Sequence, residues 1–168
     1  MQVVTPARYQ EFSLERATLA VQRFKDQPGA LIEALHELQA TFGYVDEAAM
    51  PMLAKLFNLS RAEVHGVTSF YHDFRRSKPG AYTLRVCQAE ACQAMGAVEL
   101  TQAIKEQLGC DFHQTSADGL FSLEPVYCLG NCACSPSVMV DQQNYGRVTP
   151  ERFQELASML AASAKGSN

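Results

Sequence analysis

The sequence predicts an α/β protein, a segment of about four helices followed by a domain with a small mixed sheet. Three observations carry that reading. Apolar residues recur at three- and four-residue steps through the first 79 positions. Beyond Pro79-Gly80 the period drops to two, with Tyr82, Leu84 and Val86 alternating with Thr83 and Arg85. All six cysteines lie after that change of period.

The elements follow in order. Leu14, Ala17, Val21 and Phe24 form a first helical stripe that ends at Pro28-Gly29. Leu31, Leu35, Leu38 and Phe42 form the second, with Gly43 placed to cap its C-terminus. Asp46 is placed to cap a third helix carrying Met50, Leu53 and Phe57. Ser60 and Glu63 have capping-box spacing, and the helix they open sets Val64, Val67, Tyr71 and Phe74 on one face. Pro79-Gly80 marks the domain boundary, giving a helical segment over 1–79 and a second domain over 80–168.

In the second domain a half-buried strand runs into Cys87 and a helix with Ala97, Leu100, Ile104 and Leu108 follows, ended by Gly109. Short strands flank a turn at Asp118-Gly119, Val138–Val140 is another strand, and Asn144-Tyr145-Gly146 reads as a turn. Thr149-Pro150 opens the last helix, whose apolar face is Phe153, Leu156, Ala157 and Leu160. The tail from Ala161 to Asn168 reads as weakly ordered.

Composition excludes several function classes. The 168 residues are 47% apolar and 19% charged, with a net charge of -4, which suits a folded chain rather than a disordered one. No apolar run approaches the roughly 18 residues of a membrane-spanning helix. Met1–Ala20 has neither a basic start leading into an apolar run nor an Arg-rich, acid-free character, so the expected location is the cytoplasm. Cysteines in that compartment point to metal or redox chemistry rather than to a disulfide frame. Residues 81–168 hold five Lys/Arg against nine Asp/Glu, whereas residues 1–80 balance at nine each. An acidic half carrying every cysteine argues against nucleic acid, and the helix opening Arg61-Ala62-Glu63 is too poor in positive charge to read DNA.

Four cysteines form two close pairs, Cys87-x4-Cys92 and Cys128-x3-Cys132, separated by 35 residues. Each pair reads as a loop, the second turning at Gly130. Four thiolates brought together suit one inorganic centre. Zinc sites favour the tighter Cys-x2-Cys knuckle, and iron–sulfur clusters accept wider spacing. Spacing alone leaves an iron–sulfur cluster, a zinc site and unligated thiols all open.

Further residues carry a resemblance. The x4, x35, x3 spacing with Tyr127-Cys128-Leu129-Gly130-Asn131-Cys132 resembles the thioredoxin-like [2Fe-2S] ferredoxin family, the 24-kDa-type subunit of NADH dehydrogenases and their relatives. Phe42-Gly43-Tyr44-Val45, the Ser60–Glu63 box and Gly66-Val67-Thr68-Ser69-Phe70-Tyr71 are similar to that family's N-terminal helical segment. The likeness spans roughly residues 20–160. Tyr71–Arg75, Arg85–Cys92 and Cys132–Pro136 look most like the gamma subunit of soluble bacterial NAD-dependent formate dehydrogenases. The nearest rivals are the equivalent subunits of respiratory complex I and of NAD-reducing hydrogenases.

The resemblance implies a thioredoxin-like second domain and a [2Fe-2S] cluster, with Cys87 and Cys92 on one iron and Cys128 and Cys132 on the other. It also implies a flavin- and NAD-binding iron–sulfur partner subunit, on which the separate, amphipathic segment 1–79 is expected to dock, and, in a formate dehydrogenase, a molybdenum-containing subunit. Backbone N–H groups around Ala89–Cys92 and Leu129–Cys132 are the expected donors to the sulfurs. Cys110 and Cys134 are left over and read as structural. His36, His65, His72 and His113 are scattered, although His65 and His72 sit seven apart on one expected helix. No Gly-x-Gly-x-x-Gly or Walker-type loop, nucleophile–base pair or paired catalytic carboxylates stand out, so the chain is expected to carry electrons within an oxidoreductase without a catalytic site of its own. The competing class is a zinc-stabilised interaction module without a redox role.

Overall fold

The structure, a computed structural model, describes residues 9–165. They fall into two compact units that part between Lys78 and Pro79.

In the first unit, Ser13 caps α1 (Leu14–Val21), and a 3-10 turn over Gln22–Phe24 continues it. Helix α2 (Leu31–Phe42) stops at Gly43, whose φ of 85° only glycine adopts readily and whose N–H reaches the Gln39 carbonyl at 2.8 Å. Asp46 does not cap α3 directly. It caps a 3-10 turn over Glu47–Ala49 that feeds α3 (Met50–Phe57). Helix α4 (Arg61–Phe70) opens on the complete capping box, with Glu63 N–H to Ser60 Oγ at 3.2 Å and Ser60 N–H to Glu63 Oε2 at 2.7 Å. The buried stripe side chains Val21, Leu35, Leu38, Phe42, Leu53 and Val64 meet in one core.

Helix α4 is shorter than its periodicity suggests. It ends at Phe70 and Tyr71 is extended, so Tyr71, His72 and Phe74 lie beyond it. A distant amide holds that segment. Gln39 Nε2 donates to the Asp73 carbonyl at 2.7 Å, and Gln39 Oε1 accepts from Arg75 N–H at 2.7 Å. Phe74 is buried in the same core by this route, against the His36 ring at 4.9 Å.

The second unit contains β1 (Tyr82–Cys87), α5 (Glu90–Ala94), α6 (Ala97–Leu108), β2 (Gln114–Thr115), β3 (Phe121–Val126), β4 (Val138–Val140), β5 (Gln143–Tyr145) and α7 (Pro150–Lys165). The strands form one mixed sheet in the order β2-β3-β1-β4-β5, with β1 and β3 parallel and every other pair antiparallel. Leu100 and Ile104 of α6 and Phe153 and Leu156 of α7 share a core with Tyr82, Leu84, Val86 and Leu123. Helices therefore pack on a small mixed sheet, the arrangement expected of the second domain.

Three local expectations change here. Strand β1 is buried at every position but Arg85, because it is central to the sheet, and even Thr83 is covered. Asn144-Tyr145 belongs to β5, and the reversal occurs at Asp141-Gln142, where Asp141 takes a left-handed φ of 52°. The tail is helical through Lys165, and the rest of it, 166–168, lies outside the described residues, as does 1–8 of the helical segment.

Candidate metal centre

The parallel pairing of β1 with β3 brings the two cysteine pairs together. Parallel strands end at the same edge of a sheet, and here Cys87 pairs with Val126 at that edge. The chain runs from each strand end into a cysteine segment, so two cysteine pairs with 35 residues between them meet in space. Gln88 N–H donates to the Val126 carbonyl at 2.7 Å and Cys87 N–H to the Ser137 carbonyl at 3.1 Å, which ties the edge to the second segment.

The first segment is not a plain loop, since Cys92 sits on the short helix α5. Gln88 anchors the turn into it. Its Nε2 donates to Thr101 Oγ1 at 2.9 Å, and its carbonyl accepts from Gln93 Nε2 at 2.7 Å. The second segment turns at Gly130, φ 70°, and Cys132 begins a 3-10 turn ending at Cys134. Asn131 Nδ2 donates to Ser137 Oγ at 3.1 Å, and Ser137 Oγ donates to the Cys134 carbonyl at 3.2 Å. The Ser135-Pro136 peptide bond is cis.

The four thiols stand as two linked pairs. Cys87 and Cys92 are buried free thiols that perturb each other's ionisation, whereas Cys128 and Cys132 are exposed free thiols, the charge of Cys128 acting on Cys132. Burial pushes the Cys87 thiol up, helped by the charge of Cys92 and opposed by the backbone N–H groups of Ala89 and Leu129. Burial also acts upward on Cys92, but the Ser135 hydroxyl, the Cys87 thiol and the Ser137 N–H outweigh it and hold that thiol below its ordinary value. The charge of Cys128 pushes Cys132 up, and the charge of Cys92 adds to it, which joins the outer pair electrostatically to the inner one. The N–H donors expected near the sulfurs are present, among them Gly130 N–H to Cys128 Sγ at 3.3 Å.

Among the described residues, no three His, Cys, Asp or Glu side chains converge as a single-ion cage. Two thiol pairs met by N–H donors fit a two-iron cluster, which needs two thiolates on each iron. Cys110 is elsewhere, buried in the sheet core just after α6. Cys134 is half-buried two residues past Cys132. All four histidines are exposed, and His113 pairs with Glu124 at 2.7 Å.

The model of the thioredoxin-like [2Fe-2S] ferredoxin family matches residues 17–161. The chain belongs to this family. Relatives of this chain are named as subunits of a hydrogenase and of NADH-quinone oxidoreductases. The NADP-reducing hydrogenase subunit HndA of Solidesulfovibrio fructosivorans is 35% identical over 136 residues, covering 81% of this chain and 80% of the relative. The E subunit of the NADH-quinone oxidoreductase of Pseudomonas aeruginosa is also 35% identical over 136 residues, covering 81% and 82%. The crystal structure of an air-oxidised NAD+-reducing [NiFe]-hydrogenase shares the fold at a TM-score of 0.65 and 22% identity, over 79% of this chain and 23% of that longer one. Among the described residues no helix is long and apolar enough to cross a membrane.

Several residues that shape the centre escaped the sequence reading. Gln88 braces the first cysteine segment against α6, Asn131 and Ser137 brace the second internally, and Ser135 joins the two at Cys92, and their only signal is polar side chains crowded around cysteines. Gly146 also backs the second segment, a role that its turn-like setting after Asn144-Tyr145 does not announce.

Proposed function

We propose that this chain holds one [2Fe-2S] cluster, with Cys87 and Cys92 on one iron and Cys128 and Cys132 on the other. The observation that carries this reading is the meeting of two thiol pairs at the shared end of the parallel strands β1 and β3. The cluster, when bound, supplies a one-electron carrier. The chain's residues do the rest. Cys87 and Cys92 form a buried anchor on the sheet, and exposed Cys128 and Cys132 put the other edge within reach of a partner. Ala89, Leu129 and Gly130 N–H groups stabilise thiolate charge.

The finer reading is a subunit of a soluble, cytoplasmic NAD-dependent formate dehydrogenase. There the chain lies beside a flavin- and NAD-binding iron–sulfur subunit, in a complex whose molybdenum-containing subunit oxidises formate. Its support is the likeness of Tyr71–Arg75, Arg85–Cys92 and Cys132–Pro136 to the gamma subunit of those enzymes. The relatives' own complexes, an NADP-reducing hydrogenase and an NADH-quinone oxidoreductase, both act on a nicotinamide nucleotide.

Anaerobic purification with counts of iron, zinc and acid-labile sulfide, then EPR after reduction, tests the cluster. Two irons and two sulfides per chain with a spin-half signal are expected, and stoichiometric zinc without sulfide overturns the reading. Replacing any of Cys87, Cys92, Cys128 or Cys132 by Ser is expected to abolish or shift the visible bands. The parent complex is tested by the subunits that co-purify: molybdenum and formate-dependent NAD reduction support formate dehydrogenase, and nickel or quinone reduction refutes it.

A further inference from the structure

Ser135 stands between the two cysteine pairs. Its side chain is buried, 7% exposed, with Oγ 3.5 Å from Cys92 Sγ and 2.8 Å from the carbonyl oxygen of Cys132. A serine hydroxyl has one proton to give. While Cys92 is a thiol, its S–H donates to Ser135 Oγ and the Ser135 O–H donates to the Cys132 carbonyl. A metal-bound Cys92 has lost that proton. Two lone-pair atoms in a dry contact then face each other with no donor between them, which costs free energy. Turning the Ser135 hydrogen from the carbonyl to the sulfur removes the conflict and moves no heavy atom.

We propose that, in the cluster-loaded protein, Ser135 donates an O–H···S hydrogen bond to Cys92 and raises the reduction potential of the cluster. The proposal rests on the ligand set given above. An added electron places more negative charge on the ligand sulfurs, so a donor stabilises the reduced state more than the oxidised one. The Gly130 N–H on Cys128 acts at an exposed thiol, where water substitutes for a lost donor. At Cys92, which is 2% exposed, water has no such access. Ser135 therefore tunes the cluster from the inner side. It is a positioning residue for electron transfer rather than a ligand.

The test uses the full chain, loaded anaerobically, with Ser135→Ala, Ser135→Gly and Ser135→Thr. Iron and sulfide counts come first, and fewer than two irons in the unmodified protein overturns the ligand set rather than the role of Ser135. In iron-replete Ala and Gly variants, EPR-monitored redox titration is expected to show about a tenfold lower reduced-to-oxidised ratio at a fixed ambient potential, about 59 mV for one electron. Resonance Raman is expected to show a smaller deuterium shift of the Fe–S(Cys) stretch than in the unmodified protein. Ser135→Thr, which keeps the hydroxyl, is expected to keep both signatures. Iron-replete Ala and Gly variants with unchanged potential and unchanged deuterium shift overturn the proposal.

Discussion

Gly146 lies so close to Cys134 that a Cβ built on the glycine would stand 2.6 Å from the Cys134 Cβ and 2.8 Å from its carbonyl oxygen. Asn131 Nδ2 would also be 2.8 Å away. The next residues bond to the same segment, Arg147 N–H to the Cys134 carbonyl at 2.6 Å and Val148 N–H to the Pro136 carbonyl at 3.0 Å. The chain after β5 is thus the back wall of the segment that carries Cys132.

Gly146→Ala is therefore expected to push this segment outward, since two of its three neighbours are a backbone oxygen and a Cβ, and only Asn131 Nδ2 is a side-chain tip that can turn away. Overpacking of this kind costs about 1–3 kcal/mol. Thermal unfolding of the sheet unit falls, and iron retained after gel filtration falls with it. An unchanged Tm with full iron would show that the segment yields freely.

Ser60→Ala removes the side-chain acceptor for Glu63 N–H, and loss of an N-cap costs about 0.5–2 kcal/mol. The Ser60 backbone N–H and hydroxyl bonds to the Glu63 carboxylate hold its pKa below the ordinary range. Across the interval between the native and unfolded values, the unfolded chain binds more protons, so stability rises with pH there. This contribution is whole above the unfolded glutamate pKa, about 4.3, and is lost as pH falls through the lower native value. Glu63→Gln is expected to flatten that acid limb in urea titrations followed by circular dichroism. A limb of unchanged slope would place the acid sensitivity elsewhere.

The capping box, Gly43 and the period-two strand were legible in the sequence because each is a local signal with a local cause. The cysteine pairs were legible as candidates for the same reason. What gathers them is not local, because the parallel register of Cys87 with Val126 depends on a crossover whose length no short window reports. The early end of α4 has a similar origin. Gln39, 34 residues from Asp73, holds the chain that periodicity alone would have left helical. Helix α5 was hidden by its five-residue length, too short for an apolar stripe. The Asp141-Gln142 reversal was masked by the more turn-like Asn144-Tyr145-Gly146 that follows it.

Cys110 and Cys134 are expected to be dispensable for the cluster, for different reasons. Cys110 is buried in the sheet core, where burial first, and then the charges of Asp111 and Asp118, push its thiol up and disfavour the thiolate a metal needs. Cys110→Ser places a hydroxyl in that core, so stability falls by about 1–3 kcal/mol while iron per folded chain is unchanged. Cys134 contributes its backbone, accepting at its carbonyl from Ser137 Oγ and Arg147 N–H. Cys134→Ser keeps those bonds and is expected to leave the visible and EPR spectra unaltered. A shifted g-value pattern in Cys134→Ser would make that thiol a ligand and displace one of the four assigned here.

The unit before Pro79 contains its own core, and so does the unit after it. The helical unit nevertheless leaves Phe70 73% exposed at the end of α4, with the Tyr71 ring edge-on beside it at 5.2 Å. An aromatic pair left in water at a helix terminus suits an anchor for another protein, since aromatic side chains dominate the energetics of interface centres. In the proposed complex the helical unit is expected to dock on the flavin- and NAD-binding partner, with electron transfer left to the sheet unit. A chain starting at Pro79 is then expected to load two irons with unaltered EPR but to lose the partner on affinity purification. Phe70→Ala in the full chain is expected to weaken the association at least tenfold, about 1.4 kcal/mol, without touching the spectrum. Full co-purification of the shortened chain with the flavoprotein would move the docking surface to the sheet unit, where the exposed cysteine edge and Tyr127 would have to supply it.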